Sequence, residues 1–221
     1  MNNYRFLNLP KNPLINNFAT IQNLLKSSED NLARVGAGAQ HNYECLTNVK
    51  DFISPNVLDI FQQLDLRPKF FACFAKKNIS KLSIKDRQLH YDIFLDKKKN
   101  DWVSIPFAIN WELTPGHTVF HWYDVPVEPG FPDKDREDLP LKELLAGTYY
   151  QSPGQRGLPN GTKLIEKVQV TGPILVKTSI PHSVSFDSTA STRYNISLRF
   201  EFDDAPSWEA ALKKLEPLIV K

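Results

Sequence analysis

A chain of 221 residues, 41% hydrophobic and 24% charged, is long enough to bury its own core and lacks the composition of a disordered segment. Its formal net charge of +2 offers no general attraction to phosphate, so nucleic acid is not indicated, and its two cysteines, Cys45 and Cys73, lie far apart as small buried residues of a reducing compartment would. No basic start leads into an apolar stretch and no apolar run approaches the roughly 18 residues of a membrane span, so the expectation is a cytoplasmic protein, away from membranes, with a single domain over residues 1–221.

Residues 1–68 read as an N-terminal helical buttress. Leu14, Phe18, Ile21, Leu24 and Leu25 recur at helical spacing, and Val57, Leu58, Phe61 and Leu64 repeat it behind Ser54 and Pro55, a cap residue and a first-turn proline. From Phe70 the texture changes to aromatic and β-branched segments separated by turn residues, which predicts strands over 70–75, 82–92, 102–113 and 117–125. An insert at 126–161 follows, rich in Pro and Gly, with the charge cluster Asp133 to Asp138 and a short helical stretch around Leu141 to Ala146. It is longer than an ordinary connection and reads as a lid.

Strands resume over 164–170, 174–184 and 193–202. In the last of these Tyr194, Ile196, Leu198, Phe200 and Phe202 alternate with Arg193, Asn195, Ser197, Arg199 and Glu201, so one face is core and the other polar. A C-terminal helix occupies 207–221, amphipathic from Ser207 to Lys214 and ended or kinked by Pro217. The whole predicts a mainly β fold, a sandwich or barrel core over 70–202, with helices covering one sheet.

The chemistry concentrates in His90-Tyr91-Asp92, where a period of two directs imidazole and carboxylate to the same face. Such a triplet by itself is usually two solvated side chains, and it gains weight only from what lies downstream. His182 closes the apolar segment Ile174 to Ile180 behind Pro181, at a strand edge where a ligand can point into a cavity. Two imidazoles and one carboxylate form the facial triad of a divalent iron site with open positions. An arginine facing into a barrel needs an anion, and the fork of Arg193 suits a carboxylate, with Arg199 in the same row as the reserve. His121 with Asp124 is a rival pair of unsuitable spacing, so His117 and His121 read as packing or turn residues; His41 reads as an exposed loop residue.

His90-Tyr91-Asp92, the strand Pro106 to Trp111, Ile180-Pro181-His182-Ser183-Val184 and the run from Arg193 to Phe200 together resemble the iron(II)- and 2-oxoglutarate-dependent dioxygenase superfamily. The resemblance implies a double-stranded β-helix, or jelly roll, in which His90, Asp92 and His182 bind Fe(II). Arg193 would then pair with the distal carboxylate of 2-oxoglutarate. It also implies an oxidoreductase that uses O2 and 2-oxoglutarate to hydroxylate a second substrate, a small molecule or a protein side chain. On the residues alone, Asn110 and Tyr123 could reach the near end of such a cosubstrate by hydrogen bonding, and Tyr149 and Tyr150 in the insert either touch substrate or anchor the loop. The Arg-x-Asn-x-x-x-Arg run looks like the final motif of the nucleic-acid dealkylase branch, yet that branch's upstream Asn/Tyr motif is not evident, so its substrate class does not carry across. Two other readings compete: a non-catalytic jelly-roll binding or structural module, and a cupin-like metalloenzyme that works without 2-oxoglutarate.

Overall fold

The structure, a computed structural model, describes residues 2–15, 33–35, 39–46, 48–77, 89–96, 101–113, 118–126, 146–148, 158–186 and 192–221. Strands β1 (Tyr4–Phe6), β2 (Ala33–Val35) and β3 (Ala39–Leu46) precede a 3-10 turn at Val49–Asp51 and helix α1 (Pro55–Gln63). Then come β4 (Pro68–Lys77), β5 (His90–Asp96), β6 (Asp101–Ser104), β7 (Phe107–Glu112), β8 (Thr118–Asp124) and β9 (Ala146–Thr148). The chain continues through β10 (Lys163–Gln169), β11 (Ile174–Lys177), β12 (His182–Phe186) and β13 (Thr192–Phe200) to helix α2 (Trp208–Leu215) and a 3-10 turn at Glu216–Leu218. Among the described residues no helix is long and apolar enough to cross a membrane.

The described strands form two antiparallel sheets. The larger runs β1-β11-β7-β13-β4-β3-β2, and the smaller runs β10-β8-β12-β5-β6 with β9 also paired to β5. Alternation along β13 explains the layering. Ile196, Leu198 and Phe200 join Phe71, Ile109, Trp111 and Leu175 in a core against Phe61 of α1 and Trp208 and Leu215 of α2. The other face of the larger sheet contributes Ala108, Ile174 and Val176 to a second core, closed from the smaller sheet by Phe120, Trp122, Val168 and Val170. Each helix earns its place by a buried stripe: Val57 and Phe61 on α1, Trp208, Ala211 and Leu215 on α2. Ser207 caps α2 by accepting from the Ala210 amide, whereas Ser54 makes no such bond and Pro55 supplies the entry geometry of α1.

Several expectations need correction. The stretch 1–68 is not a purely helical buttress, because it adds β1, β2 and β3 to the larger sheet alongside α1. His41 lies in β3, paired with both β2 and β4, and not in a loop. Leu14 forms a β-bridge to Ile53; the rest of the expected first helix, 16–25, lies outside the described residues. Ala146 begins strand β9 instead of ending a helix, and residues 141–145 lie outside the description.

The segments 102–113 and 174–184, each read as one strand, are both broken in two, at Ile105-Pro106 and at Thr178 to Pro181. Pro106 and Pro181 have no amide hydrogen to continue a ladder, and at these breaks the chain crosses between sheets. The crossings are tied together: the Thr178 amide donates to the Pro106 carbonyl at 3.3 Å and its hydroxyl to the Ile105 carbonyl at 2.8 Å.

Candidate metal centre

The same crossings clamp the backbone of Asp92. Its amide donates to the Thr178 carbonyl at 2.9 Å, and its carbonyl accepts from the Ile105 amide at 3.0 Å. Asp92 and His90 share the face of β5 that looks into the inter-sheet space, while Tyr91 packs on the opposite side with Leu89 and Tyr123. His182 opens β12 immediately after the second crossing. The two strands meet at one register pair, His182 opposite His90, which brings their ring centroids to 4.4 Å.

Three side chains remote in sequence therefore converge. His90 Nε2 lies 3.8 Å and His182 Nε2 3.9 Å from the same oxygen, Asp92 Oδ1. One ligand atom from each residue lies within 4.8 Å of the others, so the group could hold a metal ion. The donor chemistry fits. His182 Nδ1 is 2.9 Å from the Ile180 carbonyl; a carbonyl only accepts, so Nδ1 carries the proton and the Nε2 lone pair faces the cluster. The His182 side chain is 4% exposed and that of His90 25%, so the cluster is closed behind His182 and approachable beside His90.

Burial and charge together set the protonation states. Burial alone would raise the Asp92 carboxyl, but Arg199, followed by His182 and His90, outweighs it and holds the group below its ordinary range. Burial, reinforced by His90, lowers His182 to about 4. Both groups thus stand as metal ligands need them, one ionised and one neutral.

A pH dependence follows for the metal-free protein. The folded pKa of His182 lies below its unfolded value, so neutral imidazole favours folding; the contribution is present above about pH 6.5 and is lost as pH falls toward 4. Between pH 7 and pH 5 the wild type should lose about 2 kcal/mol more than His182→Leu, read from urea unfolding with chelator present. Equal losses in the two proteins would refute the assignment.

The predicted arginines fare differently. Arg199, buried, bonds through Nη2 to Asp92 Oδ2 and through Nη1 to the Ser197 hydroxyl, which bonds in turn to Asn110 Oδ1. Arg193 lies in β13 opposite Lys76; its side chain is outside the described residues. Ser197 and Asn195 were visible only as members of a polar row. Asn195 is 4% exposed, and its Oδ1 has no hydrogen-bond partner among the described residues.

His121 and Tyr123 point away from the cluster, on the opposite face of the smaller sheet from Trp122 and His182. There His121 Nε2 meets the Ser185 hydroxyl at 2.7 Å, and Tyr123 lies 3.3 Å from the Ser183 hydroxyl. Tyr123 therefore does not face a cosubstrate beside the metal, and His121 is a packing residue. Of the 126–161 insert, Ala146–Thr148 forms β9, with Thr148 opposite His90 and Ala146 opposite Asp92. His117, Tyr149 and Tyr150 lie outside the described residues.

Neither a comparison with protein-family models nor one with curated protein sequences finds a match to this chain.

Proposed function

We propose that this protein is an iron(II)- and 2-oxoglutarate-dependent oxygenase on a double-stranded β-helix, hydroxylating a small-molecule or protein side-chain substrate. The observation that carries the reading is the convergence of His90, Asp92 and His182 on one point between the sheets, with Asp92 ionised and His182 neutral. The alternation of the chain between sheets, β7 to β8 and β11 to β12 among others, supports the β-helix.

Charge balance supports an anionic cosubstrate. Asp92 is already neutralised by Arg199, so a divalent ion would leave two positive charges formally uncompensated in a buried setting. The near carboxylate of 2-oxoglutarate would halve that excess, and Arg193 is the proposed partner of its distal carboxylate. The Asn195 Oδ1 on the same strand, without a hydrogen-bond partner among the described residues, further supports a polar guest between the sheets. Iron(II) held by His90, Asp92 and His182 would supply the oxidation of substrate by O2, with 2-oxoglutarate leaving as succinate and carbon dioxide. The chain's own residues would hold Asp92 ionised and His182 neutral, anchor the cosubstrate and exclude water behind His182.

Anaerobic titration of the protein with iron(II) and 2-oxoglutarate should produce a weak visible charge-transfer band, and admitting oxygen should release succinate. Arg193→Ala should weaken 2-oxoglutarate more than the metal. Iron binding without the band or succinate would favour the cupin-like reading, and absence of metal binding the non-catalytic one.

A further inference from the structure

We propose that Asn110 and Ser197 are positioning residues of the metal centre, a buried strut that fixes the Arg199 guanidinium on one oxygen of Asp92 and reserves the other oxygen for the ion. The inference rests on the metal-binding part of the proposed function and is independent of 2-oxoglutarate.

Hydrogen-bond polarity makes the strut directional. Arginine can only donate, so the Ser197 oxygen must accept from Arg199 Nη1. The single hydroxyl hydrogen of Ser197 is thereby left for Asn110, which must present its Oδ1, as it does. Without Asn110 that hydrogen would lack its acceptor, and without Ser197 one end of the guanidinium would lose its fixed partner. Each such loss in a buried site is unfavourable, and within a connected network it is felt at the next member.

The strands leave the strut little freedom. Ser197 and Arg199 are two positions apart on β13 and so share a face, while Asn110 is the register partner of Ser197 on β7. All three are at least nine-tenths buried. The far end of the guanidinium takes Asp92 Oδ2, and the two histidine Nε2 atoms gather around Oδ1. A rigid guanidinium thus divides the carboxylate between its two tasks, and the strut is what makes it rigid.

The test is cobalt(II) titration of the full-length protein, followed by its visible d–d absorption. Ser197→Ala should weaken cobalt about 10- to 100-fold and alter the band, and Ser197→Thr, which keeps the hydroxyl, should restore both. In an Arg199→Met background, Ser197→Ala should have no further effect, because the strut then has nothing to position. Should Ser197→Ala fail to fold, Asn110→Ala is titrated in its place, alone and with Arg199→Met. The proposal is overturned if the wild type binds cobalt but the strut variants match it in affinity and band, or if their effect persists undiminished with Arg199→Met. A wild type that binds no cobalt would instead overturn the metal-site reading on which the strut rests.

Discussion

Asp92→Ala should abolish metal binding and also destabilise the metal-free protein by about 3–5 kcal/mol. The two losses have separate causes. Metal binding fails because the only anionic ligand of the trio is gone and two imidazoles remain. Stability falls because Arg199, buried between the sheets, loses the carboxylate that compensates it, and an unpaired buried charge is among the most damaging defects a core can hold. The double variant Asp92→Ala/Arg199→Met separates them: an apolar side chain of similar length removes the orphaned charge, so most of the stability should return while metal binding stays lost. Equilibrium dialysis against zinc(II) and urea unfolding in chelator read the two quantities independently. Wild-type zinc affinity in Asp92→Ala would remove Asp92 from the site; a double variant no more stable than the single would show that the pair is not what Asp92 contributes to folding.

The site was more legible in the sequence than the topology was. His90 and Asp92 could be paired because a period of two is a local rule, and His182 stood out because an apolar segment ended on Pro181 and a histidine. The polar row of β13 was equally plain from alternation, and it contains Arg199 and Ser197. What alternation does not encode is register: that Ser197 faces Asn110, or that His182 faces His90, depends on how strands far apart in the chain align. Which arginine of the row meets Asp92 turned on the same missing information, and only the three-dimensional arrangement assigns Arg199 to it. β3, with Gln40, His41, Asn42 and Glu44, has too polar a sequence to suggest a strand, and it becomes one by pairing between β2 and β4. The breaks at Pro106 and Pro181 were written in the sequence, but within otherwise continuous strand-like runs they did not disclose that the chain changes sheets there.

Trp122→Ala should cost about 3–5 kcal/mol, the range for emptying a large aromatic site in a close-packed core. Trp122 is fully buried between the sheets, stacked on Tyr4 at 6.0 Å and Phe120 at 5.8 Å, and its indole donates to the Lys177 carbonyl at 2.8 Å. Truncation therefore leaves both a cavity and a carbonyl without its donor. Because Trp122 is the register partner of His182, the cavity opens beside that imidazole, and zinc affinity should fall about tenfold as the ring gains freedom. Trp122→Phe keeps a ring in the stack and loses the indole bond, so it should be the milder change on both counts. Leu164→Ala, on the neighbouring strand but 51% exposed, should stay within about 0.5 kcal/mol of wild type. Urea unfolding of the three variants orders them, and a Trp122→Ala no less stable than Leu164→Ala would mean that the inter-sheet core does not support the metal centre in the way its packing implies.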